Sequence, residues 1–106
     1  MIYNIEGCTF KFDVFNEKVL NGHFVSNGSN HGKKLITIGK KMIKQLFDET
    51  QYETICVVIS YQLPSVIKFA YRLGFKKVDD IINNNPNMGR LGKIIRMRID
   101  KEAQNG

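Results

Sequence analysis

The sequence predicts an α/β domain built on a mixed central sheet, its elements in the order β-β-β-α-β-α-β-β. Three observations carry this prediction. The run Ile55-Cys56-Val57-Val58-Ile59 is unbroken and apolar, with four β-branched residues. It reads as a central strand, covered on both faces and nearly fully buried. Two stretches with apolar residues at helical spacing flank it, over Gly32–Phe47 and Ser65–Leu73. Ahead of both, apolar and polar residues alternate with the period of half-buried strands joined by short turns.

Taken in order, Ile2 to Ile5 forms a short strand. Cys8, Phe10, Phe12 and Val14 then alternate with Thr9, Lys11 and Asp13. Asn16-Glu17 is a turn, and Lys18 to Ser26 returns as a strand with Phe24 and Ser26 on one face and Val25 on the other. The polar stretch Ser26 to Gly32 is a loop. In the first helix Leu35, Ile36, Ile38, Met42, Ile43, Leu46 and Phe47 make the apolar face, and Lys33, Lys34, Lys40, Lys41 and Lys44 occupy the rest. Gly39 in mid-helix costs about 1 kcal/mol against alanine, which points to close packing on the sheet. Pro64 suits the first turn of the second helix, and Gly74 the left-handed residue that ends it. Phe75 to Val78 is a strand, Asn83 to Gly89 a loop, and Ile94 to Ile99 the closing strand. Lys101 to Gly106 reads as a frayed tail.

A chain of 106 residues is one domain, residues 1–106, with one core. No apolar run reaches the length of a membrane span, and the N-terminus lacks the layout of a signal peptide, so a cytoplasmic protein is expected. Cys8 and Cys56 then read as reduced core thiols. The net charge of +6 suits an anionic partner or simply solubility. Nucleic acid has the charge in its favour but no recognition motif and no aromatic–basic surface pattern. There is no closely spaced set of metal-ligating residues, no phosphate-binding P-loop and no nucleophile elbow.

The segment Phe69-Ala70-Tyr71-Arg72-Leu73-Gly74-Phe75 resembles the late helix and "GF" turn of the GCN5-related N-acetyltransferases, the GNAT superfamily. The resemblance covers Phe24 to Val78, with Ile94–Ile99 as closing strand. It implies a GNAT-like mixed sheet with two main helices, the N-terminal helices of the full fold missing. The acceptor side is then open, or completed by a second copy in a homodimer, or by the substrate itself.

The resemblance also implies acetyl-CoA as co-substrate and an amine, small or on a protein, as acceptor. Its pyrophosphate would sit at His31, Gly32, Lys33, Lys34 and Leu35, and its pantetheine arm along Phe24, Val25 and Ser26, in a gap facing the strand Ile55–Ser60. The family's loop pattern has Arg or Gln, Gly, and Gly or Ala where this chain has His31, Lys34 and Ile36. Only the extra glycine, Gly32, matches. The tyrosine that protonates the departing thiolate in many members is replaced by Ala70, and the asparagine at the helix start by Leu63. Tyr71, Tyr61 and Ser65 are the substitute hydroxyls, and a tyrosine placed at position 70 would restore the acid if the pocket has space. Glu17, His23 and His31 are candidates for a base by location only, and none is assigned. Short GNAT-like chains with such loops also resemble phage proteins. The alternative reading is therefore a non-catalytic module of this fold with a structural or host-interaction role.

Overall fold

The computed structural model describes residues 2–5, 8–26, 33–82 and 92–104. The strands are β1 (Ile2–Ile5), β2 (Cys8–Val14), β3 (Val19–Ser26), β4 (Thr54–Ser60), β5 (Lys76–Ile82) and β6 (Lys93–Asp100). The helices are α1 (Lys33–Glu49), α2 (Pro64–Leu73) and a terminal turn, α3 (Lys101–Gln104). The six strands form one mixed sheet in the order β1-β2-β3-β4-β6-β5. β1, β2 and β3 are an antiparallel meander. Its β2–β3 turn is fixed by Asn16, whose Oδ1 accepts from the amides of Lys18 and Val19, each at 2.9 Å. β3 and β4 are parallel, as a strand–helix–strand crossover requires. β6 then inserts antiparallel between β4 and β5.

β4 lies inside the sheet, but it is not covered on both faces. Ile55, Val57 and Ile59 are buried, while Val58 is 58% exposed and Cys56 half-buried. The reason is that α1 and α2 share one side. The buried residues Ile38, Met42, Ile43, Leu46 and Phe47 of α1 join Ile67, Ala70 and Leu73 of α2 in a single cluster with Phe10, Phe12, Leu20, Ile55, Val57, Ile95, Met97 and Ile99 of the strands. The opposite face, with Lys11, Asp13, His23, Val58, Arg96 and Arg98, is open among the described residues. A continuous apolar run therefore overstated the burial of this strand.

Gly39 does serve close packing, against α2 rather than the sheet. A Cβ there would come within 2.6 Å of Leu73 Cδ2. Gly74 ends α2 at φ 108°, and its amide turns back to Ala70 and Tyr71 carbonyls. Ala70 is fully buried, so there is no space for the tyrosine that would restore an acid.

β5 extends to Ile82, well past Val78. Adjacent aspartates and a register shift between Lys77 and Asp79 hide it from the alternation rule. Cations hold them: Arg96 on β6 forks onto Asp79, its Nε 2.6 Å from Oδ1, and Lys77 on β5 itself has its Nζ 2.5 Å from Asp80. The expected frayed tail begins instead as a helical turn, anchored by the Lys101 amide on the Glu53 carbonyl at 2.8 Å. The faces assigned to Phe24, Val25 and Ser26 lie outside the described side chains.

Candidate functional site

The site is a break in the sheet. β3 and β4 pair only at Val19↔Thr54, Leu20↔Ile55 and Asn21↔Cys56. Beyond Asn21 and Cys56 the ladder stops, although both strands continue to Ser26 and Ser60. Each is held straight from its far side. β2 pairs with β3 as far as Cys8↔Ser26, and β6 pairs with β4 as far as Ser60↔Ile94. Residues 22–26 and 57–60 thus face one another across a slot without a ladder between them. Such edges hold backbone donors and acceptors ready for an extended guest. Five residues of β3 give the slot a length of about 16 Å, at roughly 3.3 Å per residue.

The two faces of the slot differ. On the helix side Leu20, Gly22, Val57 and Ile59 are buried. On the open side lie half-buried Asn21 and Cys56 and exposed His23 and Val58. Burial pushes the Cys56 thiol upward against the opposing influence of Arg98, so it remains protonated at neutral pH. His23 Nε2 is 3.7 Å from Asp13 Oδ2, and its cross-strand neighbour is Lys11.

α1 starts at Lys33, beyond the β3 end of the slot, and carries no acidic residue in its first turn. Its positive dipole end is therefore uncompensated by a carboxylate of that turn. Among the expected pyrophosphate residues, Lys34 is exposed and Leu35 is half-buried against the core. His31 and Gly32, and the side chain of Lys33, lie outside the described residues. The same holds for the side chains of Phe24, Val25 and Ser26, whose backbone runs along the free stretch of β3.

The three candidate hydroxyls are not gathered at the slot. Tyr61 donates to the Asp80 carboxylate on β5, which also receives Lys77 and has Lys93 at 3.8 Å. Lys93 Nζ stands 5.1 Å from the centre of the Tyr61 ring. The bond to Asp80 holds the Tyr61 hydroxyl above its usual range, and the bonds from Lys77 and Tyr61 hold Asp80 below the usual carboxylate range. Tyr61 directly follows the end of β4, and β6 lies between β4 and the β5 residues Lys77 and Asp80 of this cluster. Tyr71 is exposed on α2, and Ser65 is exposed in the first turn of α2. Glu17 lies in the β2–β3 turn, at the closed end of the slot. The His23–Asp13 pair was missed by sequence reading, although centring the hairpin on the Asn16 turn places both on one face.

Among the described residues no group of three or more His, Cys, Asp or Glu is arranged to hold a metal ion. None of their helices is long and apolar enough to cross a membrane.

Comparison of the sequence with protein-family models and with curated proteins finds no match. Comparison of the structure finds acetyltransferases. A spermidine N-acetyltransferase SpeG chimera from Vibrio cholerae and hSSAT matches with a TM-score of 0.82 at 12% identity, covering 99% of this chain and 68% of that one. The acetyltransferase of the GNAT family from Bacillus anthracis matches at 0.78 and 16% identity, covering 93% and 61%. The yncA acetyltransferase from Salmonella typhimurium, solved with its cofactor acetyl-CoA, matches at 0.67 and 18% identity, covering 89% and 57%. The chain has the fold of the GNAT superfamily. It spans 57% to 68% of the length of these neighbours.

Proposed function

We propose that this chain binds acetyl-CoA in the slot between β3 and β4 and moves the acetyl group to an amine. The observation that carries the reading is the ladder that stops at Asn21↔Cys56 while both strands run on. An extended chain of amides fits such a slot, because the unpaired backbone can bond it without any particular side chain. The pantetheine arm would lie along the backbone of Phe24, Val25 and Ser26 on one side and residues 57–60 on the other. The pyrophosphate would rest at the start of α1, on the amides of Lys33, Lys34 and Leu35 after His31 and Gly32. The bound group would supply an activated acyl thioester.

The chain's own contribution to chemistry is chiefly position. Holding amine and thioester together removes much of the entropic barrier. A proton donor is the weaker part. The Tyr61 hydroxyl is committed to Asp80, and position 70 has no hydroxyl. Tyr71 and Ser65 stay as candidates. General acid help contributes about 10²–10⁴-fold, so transfer without it is slow but not abolished, since thiolates are fair leaving groups.

The burial of Ala70 favours a second reading, in which the fold persists as a non-catalytic module, structural or host-interacting. A thermal-shift titration with acetyl-CoA and CoA separates the two. Stabilisation that rises with ligand concentration is expected. No shift at millimolar concentrations of either leaves the second reading standing.

A further inference from the structure

We propose that a cationic cavity beside the closed end of the slot seats the anionic end of the acceptor, so that the substrate class is an amine carrying a carboxylate or a phosphate. The inference rests on the acetyl-CoA reading above and names the acceptor for it. With the pyrophosphate at the start of α1, the arm enters at Ser26 and ends where the ladder closes, at Asn21↔Cys56. The helix side there is filled by the buried core, so the acceptor arrives from the open face.

From the closed end a row of cross-strand partners runs over that face. Cys56 pairs with Arg98 on β6, and Arg98 pairs with Lys76 on β5. Two strand spacings separate Cys56 from Lys76, about 10 Å. At that point the start of β5 and the end of β6 enclose a cavity of about 360 Å³, whose lining includes Lys76, Lys77, Val78, Arg98 and Asp100. Its volume is that of a small-molecule site.

The charges select the ligand. Lys76 and Arg98 stand directly opposite one another, a like-charge pair that costs stability across a ladder. Three cations line the cavity against one carboxylate, Asp100. Asp100 accepts from Nε and Nη2 of Arg98 at 3.1 and 3.0 Å and from the Thr54 hydroxyl at 2.7 Å. This leaves the other donors of the guanidinium for a ligand. Lys77 is held by Asp80, whereas Lys76 forms no ion pair among the described residues. An oxyanion between Lys76 and Arg98 would turn their repulsion into charge-assisted bonds. A polyamine finds the reverse. Of the carboxylates on the open face, Asp79 and Asp100 are tied to Arg96 and Arg98, and Asp13 has His23 at 3.7 Å. A polycation such as spermidine therefore meets cations where it needs carboxylates.

In the transfer the amine nitrogen bonds to the acyl carbon, the carbon–sulfur bond breaks, and sulfur leaves as thiolate. The nitrogen's proton passes to solvent or to that thiolate. The cavity positions the amine and takes no part in these bond changes.

The test uses the full chain, acetyl-CoA and four acceptors built on one six-carbon chain: 6-aminohexanoate, 6-aminohexyl phosphate, 1,6-diaminohexane and hexylamine. Mass spectrometry gives kcat/KM for each, and calorimetry gives acetyl-CoA affinity. NMR follows the backbone amides of Lys76 and Arg98 as 6-acetamidohexanoate, the unreactive product, is added with CoA. We expect at least one anionic acceptor to be preferred about tenfold over hexylamine, the diamine to be poorest, and both amides to move. The carboxylate and the phosphate, read against each other, name the group. Lys76→Glu should erase the preference while acetyl-CoA affinity stays within twofold of the parent. Lys41→Glu makes the same charge change on the exposed surface of α1 and should keep the preference. If acetyl-CoA binds but neither anionic acceptor is preferred, or none of the four is acetylated, or the amides stay still, the anion seat is overturned alone. Equal losses in Lys76→Glu and Lys41→Glu overturn it too, because overall charge would then explain the preference. If acetyl-CoA does not bind, the anion seat and the reading beneath it fall together.

Discussion

Ala70 and Gly39 show how much a single small residue decides here. Ala70 has no exposed surface, and its neighbours on α2, Ile67 and Leu73, are buried with it. Replacing it by tyrosine forces a ring into a filled core, and overpacking of this kind costs about 1–3 kcal/mol or more. Ala70→Tyr should therefore lower the denaturation midpoint and add no activity; an unchanged midpoint with faster acetyl transfer would show that the site has room after all. Gly39 poses the opposite problem. Alanine there gains about 1 kcal/mol of helix propensity, yet its Cβ meets Leu73 Cδ2 at 2.6 Å. The clash wins in a close-packed core, so Gly39→Ala should destabilise the parent. Combined with Leu73→Val, which retracts that methyl group, the cost should shrink, and urea denaturation of both variants measures the coupling. Gly39 was legible as a packing glycine from its mid-helix place; its partner was not, because helix-to-helix contact has no one-dimensional signature.

At the scale of elements, β4 was found from its apolar run but given the wrong surroundings. An apolar run reads the same whether one face of its strand is covered or two, and Val58 stands on the uncovered face opposite Arg96. Paired substitutions expose the difference. Val57→Asp places an unpaired charge in the core and should abolish soluble expression. Val58→Asp, on the open face opposite Arg96, should express normally. Equal solubility of the two would overturn the one-sided core. β5 was truncated for a different reason: Asp79 and Asp80 are poor strand formers, made acceptable by Arg96 and Lys93 across the ladder and by Lys77 on the same strand. This arrangement carries a pH signature. Arg96 lowers Asp79, and Lys77 with Tyr61 lowers Asp80, below the ordinary carboxylate value of 3.8. Groups depressed in the folded state contribute stability above their unfolded value and lose it as pH falls through the folded one. Thermal unfolding should therefore weaken on acidification below about pH 4, and less steeply in an Asp79→Asn variant. Both side chains are partly exposed, so added salt should blunt the effect.

At the scale of the whole molecule, the mixed sheet and both main helices were legible because apolar periodicity survives in each. The slot was expected only through the resemblance, as a gap between Phe24–Ser26 and Ile55–Ser60, since a pause in backbone pairing leaves no trace in side-chain pattern. What the sequence does show is a helix charged against its own dipole: Lys33 and Lys34 stand at the N-terminal end of α1, and Asp48 and Glu49 at the other. Cations near the positive end of a helix cost stability, on the order of 0.3–1 kcal/mol each at low salt. An anion seated on that end would reverse the balance, which is the role proposed for α1 towards the pyrophosphate. Lys33→Glu separates the two effects because they have opposite signs. As a structural change, it removes an unfavourable charge and supplies a favourable one, so the unliganded protein should gain stability. As a change to an anion seat, it should weaken acetyl-CoA binding about tenfold, and the difference from the parent should narrow as salt rises. Thermal unfolding with and without acetyl-CoA reads both at once. A variant that is more stable alone and less stabilised by ligand supports the seat at α1; one that binds acetyl-CoA as tightly as the parent at low salt places the pyrophosphate elsewhere.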